Sequence, residues 1–324
     1  MNVLLLAKTI ILYAYPLITL IGLITNSISF VIFSRKSFQK TIFSTYFRIL
    51  LLFQTLNLVV PIDKMLEYNF NIFSSRISLI TCKLRAAFAY VNYANAAWYL
   101  VIISLDRYLS ISFSNKFHFR KKMSFHLFTS IFIIGFNYLF YLPTWFYYLR
   151  ETRTNLTFNE TETTFKCKSP GIWFDFMDLF QSTLIPFLFM TIFTSFTIKT
   201  VYESRKKAMH QTRINSKEKL KNKLSSKDVK FALISIANNI LFLLMNLPYF
   251  IIFMLVDYTT LLSNRDNLSK FLFSIEYLLV YINLTLTFFI NYFVNSIFKK
   301  EFLIFLNYVR RKTEDKHSKS VTSK

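Results

Sequence analysis

Long apolar runs bounded by charge divide this chain into seven segments, at roughly residues 9–33, 44–62, 79–109, 124–149, 174–199, 229–256 and 271–296. As α-helices, runs of about 20 predominantly apolar residues match the hydrocarbon core of a bilayer. They predict an all-α membrane protein, a bundle of seven transmembrane helices. After the last run, Phe298, Phe302, Phe305 and Val309 recur at helical spacing opposite lysines. That is the pattern of a short amphipathic helix lying on the membrane face. The first run is expected to be an uncleaved span, because it lacks a basic start and a small-residue cleavage site. Residues 1–308 then form one membrane domain, and 309–324 a short basic tail without fixed structure. No internal repeat is evident, which weakens a transporter built from duplicated halves.

Composition agrees: 53% hydrophobic and 19% aromatic residues exceed the balance of a soluble domain. Charge adds an orientation. The links after spans one, three and five are strongly basic, the last from Arg205 to Lys230, and so is the tail. The opposite links mix signs, as in Asp63, Lys64, Glu67 and Arg76. The positive-inside rule therefore predicts an extracellular amino terminus and a cytoplasmic carboxyl terminus, as in a multi-pass plasma-membrane protein. The net charge of +22 follows from those links. It implies attraction to anionic membrane lipids and no nucleic-acid partner. Sequons at Asn155, Asn159 and Asn267 fall on the expected outer face as candidate glycosylation sites, whereas the one at Asn283 lies inside span seven.

Two chemical landmarks bracket the third run. Cys82 opens it, and Asp106, Arg107 and Tyr108 close it. Charges at the end of an apolar helix are costly to bury and indicate a task. A cysteine opening the third span and Asp-Arg-Tyr closing it resembles the rhodopsin-like (class A) G-protein-coupled receptors. The resemblance implies that Asp106, Arg107 and Tyr108 couple to a heterotrimeric G protein. It also implies a disulfide between Cys82 and Cys167, the two cysteines of the chain. An acid at the inner end of span six, Asp228, would face Arg107 as a resting lock.

Further positions match or depart from that family. Asn26 fits its polar marker in span one, and Pro186 and Pro248 its helix-bending prolines. Gln54 stands where most members keep a sodium-holding aspartate, which puts sodium sensitivity in doubt. Asn246 replaces the usual tryptophan, as in invertebrate FMRFamide-type neuropeptide receptors. Asn291 is retained, but Asn295 stands where a tyrosine is expected, and span four lacks the family tryptophan.

Ala89 sits where amine receptors carry an aspartate, and Thr285 where opsins carry lysine, so neither function fits. Asn92, Tyr93, Tyr249, Glu276, Tyr277 and Tyr281 remain as an aromatic and polar pocket lining, with ordinary interhelical packing as the alternative. The expected function is a receptor for an extracellular ligand, foremost a neuropeptide. Alternatives are a chemosensory receptor for a small-molecule or lipid ligand and a surface receptor without G-protein coupling. His118, His126, His210 and His317 form no metal-binding box, so no enzyme, cofactor or metal centre is expected.

Overall fold

The structure is a computed structural model that describes residues 3–39, 42–70, 78–113, 122–157, 160–168, 171–214, 226–257 and 266–322. Six helical segments are long and apolar enough to cross a membrane: Val3–Phe33, Phe43–Leu66, Leu79–Ser112, Ser124–Phe146, Trp173–Glu203 and Leu268–Val294. The helix Ser226–Asp257, sixth in chain order, carries its apolar stretch over Ala232–Pro248. Together they make the expected seven-helix bundle. Span three lies at its centre and packs against spans two, four, five and six, while span seven packs against spans one and six.

Prolines set local departures from regular helix. Span one has a π-helical turn at Ile10–Ala14 just before Pro16, and span five one at Phe180–Leu184 just before Pro186. A proline supplies no N–H and crowds the preceding turn, so a widened turn there relieves both effects. Span four corrects a boundary, because its α-helix stops at Phe140 and gives way to a 3₁₀ turn, Leu142–Phe146, that contains Pro143. Tyr148 and Leu149, expected at the end of that span, belong to a β-hairpin instead. Its strands are β1 (Tyr148–Thr157) and β2 (Glu160–Lys168), antiparallel, with Leu149 opposite Cys167. Span three starts on a capping box: the Thr81 amide donates to Ser78 Oγ at 3.2 Å, and the Ser78 amide donates to Thr81 Oγ1 at 3.3 Å.

One close approach needs a glycine. A Cβ on Gly22 would lie 2.6 Å from both Leu58 and Thr285, so span one seats against spans two and seven through the missing side chain. Leu127, Phe128, Ile131, Phe132 and Leu139 of span four are exposed, as befits a lipid-facing surface. The post-span helix begins at Ser296 as expected but runs on to Thr322, past the boundary expected at Val309. Asn295 explains its start: the amides of Ile297 and Phe298 donate to Asn295 Oδ1 at 3.1 and 3.3 Å, an N-cap. The side chain standing in place of the expected tyrosine thus sets the junction between span seven and the surface helix. Phe298 is fully buried against Phe33 and Phe288, and Arg35 pairs with Glu301 at 3.3 Å, which fastens that helix to the bundle.

Candidate functional site

Polar groups gather at the two ends of span three. At the lower end, Asp106 and Arg107 are 6% and 5% exposed and are bonded to each other. The guanidinium lies 4.9 Å from the centroid of the Phe43 ring of span two, a cation–π contact. Tyr108 turns the other way and packs on Phe193 and Phe196 of span five. The expected triplet is therefore split, with two members inside the bundle and the tyrosine against span five. Asp228 lies on span six, but its side chain is outside the described residues.

About one turn above Arg107, a neutral clasp joins three spans. Asn239 of span six donates through Nδ2 to Ser104 Oγ of span three at 2.9 Å and to Thr194 Oγ1 of span five at 2.6 Å. Ser104 also shares a 3.2 Å hydrogen bond with Ser235 of span six. These residues were not singled out from the sequence. The signal was there, an amide and hydroxyls inside apolar runs, but their partners lie on other helices.

Midway along the bundle, Gln54 donates to Thr287 Oγ1 at 3.1 Å, Asn291 to the Thr287 carbonyl at 2.7 Å, and Asn26 to the Leu284 carbonyl at 3.3 Å. Spans one, two and seven are thus tied through neutral side chains, with Gln54 in the place of the aspartate usual in the resembled family. A second amide chain ties spans three, four and five: Gln181 donates to Asn137 at 2.9 Å and Asn137 to Asn95 at 2.9 Å.

At the upper end, Cys82 is fully buried and disulfide-bonded, and no cysteine is free among the described residues. It packs with Ala86, Tyr141, Tyr147 and Phe174 beneath the hairpin. Tyr147 donates to the Tyr90 hydroxyl at 2.9 Å, and Tyr90 stacks on Tyr141 with centroids 5.9 Å apart. Tyr141 donates to Asp178 Oδ1 of span five at 2.7 Å. Asp178, which sequence reasoning passed over, is 7% exposed. It lies in a segment read as apolar, close enough to a span end to look solvated.

Of the expected pocket lining, Asn92, Glu276 and Tyr281 are buried, and Tyr93 donates to Asn246 Oδ1 across to span six. Asn246 in turn donates to the Phe242 carbonyl at 2.6 Å. Tyr277 stacks on Tyr281 at 6.3 Å and takes the Lys64 ammonium 2.9 Å from its ring centroid, while Asp63 pairs with Arg85 nearby. Pro186 is buried and Pro248 half-buried within their helices. The side chains of Tyr249, Asn155, Cys167 and Asn267, and all of Asn159, are outside the described residues. No group of three or more metal-binding side chains occurs among the described residues.

No curated protein matches the chain. The family model of the 7 transmembrane receptor (rhodopsin family) matches residues 25–290, which include both ends of span three and the amide contacts above other than that of Asn291. With seven spans, a following surface helix and an Asp-Arg-Tyr triplet at the end of the third span, the chain belongs to the rhodopsin family of seven-transmembrane, G-protein-coupled receptors, not to an enzyme family.

Proposed function

We propose that this receptor binds an extracellular peptide at the Cys82 end and couples to its G protein at the Arg107 end. The basic links after spans one, three and five support that orientation. Support for a peptide comes foremost from the hairpin beside the Cys82 end. A two-stranded ribbon has two unpaired edges, and an extended peptide can add to such an edge as a further strand. Ala89 offers no charge to a monoamine, and Thr285 uses its hydroxyl on the Ile282 carbonyl of its own helix. Asn246, shared with FMRFamide-type receptors, belongs to the same reading.

Cys167 is the partner we assign to Cys82, pinning β2 to the head of span three. Asn155, Asn159 and Asn267 then lie on the glycosylated side. The bond from Tyr93 to Asn246 gives a ligand a route to span six. Ligand contacts favour a state in which spans five and six part from span three, freeing Arg107 and Tyr108 for the G protein. Asp228 and the Asn239 clasp oppose that parting. The basic helix after span seven and the basic third inner link meet anionic lipid and the G protein.

Cells expressing the receptor, screened against a neuropeptide library, an amine panel and a lipid and odorant panel, test this reading. Saturable activation by a peptide and none by amines is expected. Activation by lipids or volatiles, with the peptides silent, would replace it with the small-molecule reading.

A further inference from the structure

We propose that the ligand presents a cation and that Asp178 is the group that receives it; the proposal rests on the Cys82 end being the ligand face. Asp178 sits about two helical turns before Pro186 on span five. It is more than nine-tenths buried, and its partners among the described residues are the hydroxyls of Tyr141, at 2.7 Å, and Ser182. A carboxylate held away from water takes a cation or a proton, and an arriving cation favours the ionised form. Two described cations near this end are committed elsewhere. Arg85 pairs with Asp63, and the Lys64 ammonium rests on the Tyr277 ring. No lysine, arginine or histidine among the described residues bonds to Asp178.

The surroundings suit an incoming cation. Tyr90, Tyr141, Tyr147 and Phe174 form a continuous aromatic cluster around the carboxylate, with neighbouring centroids 5.5–6.3 Å apart. Ring faces attract an ammonium or guanidinium group. Tyr93 lies within electrostatic reach of both Asp178 and the buried Glu276, and it donates to Asn246 of span six. A cation neutralising Asp178 therefore changes the field on the tyrosine that bonds to span six. Recognition and transmission meet on one side chain. Ala89 places no charge on span three, and the negative anchor proposed here lies on span five.

Asp178→Asn separates this role from a packing role, because asparagine still accepts from Tyr141 but no longer attracts a cation. In the ligand-free purified receptor, Asp178→Asn is expected to melt at or above the wild-type temperature, since it removes a buried charge. A fall of several degrees would mean that a cation of the protein itself already pairs with Asp178, and the proposal fails. The second arm uses twin peptide pools, identical except that arginine becomes citrulline and lysine becomes acetyl-lysine. Neutralising an active peptide should cost roughly 30-fold or more in potency on wild type. The difference should vanish in Asp178→Asn and persist in Asp178→Glu. Equal potency of the twins, or an equal loss for both twins in Asp178→Asn, overturns the proposal. If instead the peptides are silent and choline or polyamines act where their neutral isosteres do not, the peptide reading fails while the cation stands. Activation by neutral lipids alone ends both.

Discussion

At the Cys82 end, spans three, four and five bury a carboxylate among phenols, whereas at the Arg107 end spans three, five and six meet through an amide and hydroxyls. The difference follows from what each end must do. A buried charge is expensive until a partner arrives, so it discriminates strongly between empty and occupied states. Neutral hydrogen bonds contribute only about 0.5–1.5 kcal/mol each. They hold span six closed without holding it irreversibly. The buried charge of Arg107 at the lower end is already paired with its neighbour Asp106 on the same helix. Parting of the spans therefore need not break an ion pair between Arg107 and Asp106. A receptor that shifts between populations differing by a few kcal/mol needs this asymmetry.

The largest effect is expected at Arg107. Arg107→Ala removes the guanidinium from its bond to Asp106 and its place over Phe43, and with it the group proposed to meet the G protein. Nucleotide exchange on receptor-bearing membranes should fall to background while ligand binding survives. Exchange above background at matched surface expression would move the coupling site elsewhere. Next comes Cys82→Ser. Closing a loop of roughly 85 residues is worth about 4.6 kcal/mol in the chain-entropy model. Loss of surface delivery or of ligand binding is expected, with the Cys82 and Cys167 double variant no worse than either single one. A free thiol at Cys82 in surface-expressed receptor would contradict the disulfide.

How far each end was legible in the sequence follows the same division. Run length and landmarks gave the seven spans and placed Cys82, Asp106 and Arg107, because bilayer thickness and charge burial act on single helices. The hairpin was missed because its strands are rich in threonine and charge and lack a short hairpin-turn signature such as Asn-Gly. The contacts of Asn239, Asn137 and Gln181 were missed for another reason. Each joins helices far apart in the chain, and the choice depends on how the helices are rotated. In helices that are apolar nearly all round, periodicity does not fix that rotation. Asp178 was passed over because nearness to a span end was equated with exposure, although spans three and four cover it.

Asn239→Ala sharpens the view of the lower end. It deletes two hydrogen bonds that tie span six to spans three and five. At about 1.4 kcal/mol or somewhat more, ligand-free signalling should rise roughly tenfold. Ser235→Ala, which removes one shared contact, should raise it less. Basal signalling unchanged in Asn239→Ala would show that the clasp is equally made in both states.

Asp228→Asn is expected to have the smallest effect of the series, and it decides whether charge contributes to holding the lower end closed. Asp228 lies near the start of the span-six helix, between Lys227 and Lys230. The lock proposed for it sets Asp228 against Arg107 in competition with solvent and with its neighbouring lysines in the sequence. A partly exposed pair contributes roughly 0.2–1 kcal/mol, which converts to a rise in basal signalling of at most about fivefold. The clasp, screened from water, should outweigh it. The ordering of the two variants is therefore more informative than either value. Basal signalling higher in Asn239→Ala than in Asp228→Asn, at matched surface expression, supports a resting state held chiefly by neutral bonds. The reverse order, together with suppression of the Asp228→Asn effect by high salt in the wild-type comparison, would assign the lock to an ionic pair. The contrast between a charged upper end and a neutral lower end would then no longer hold.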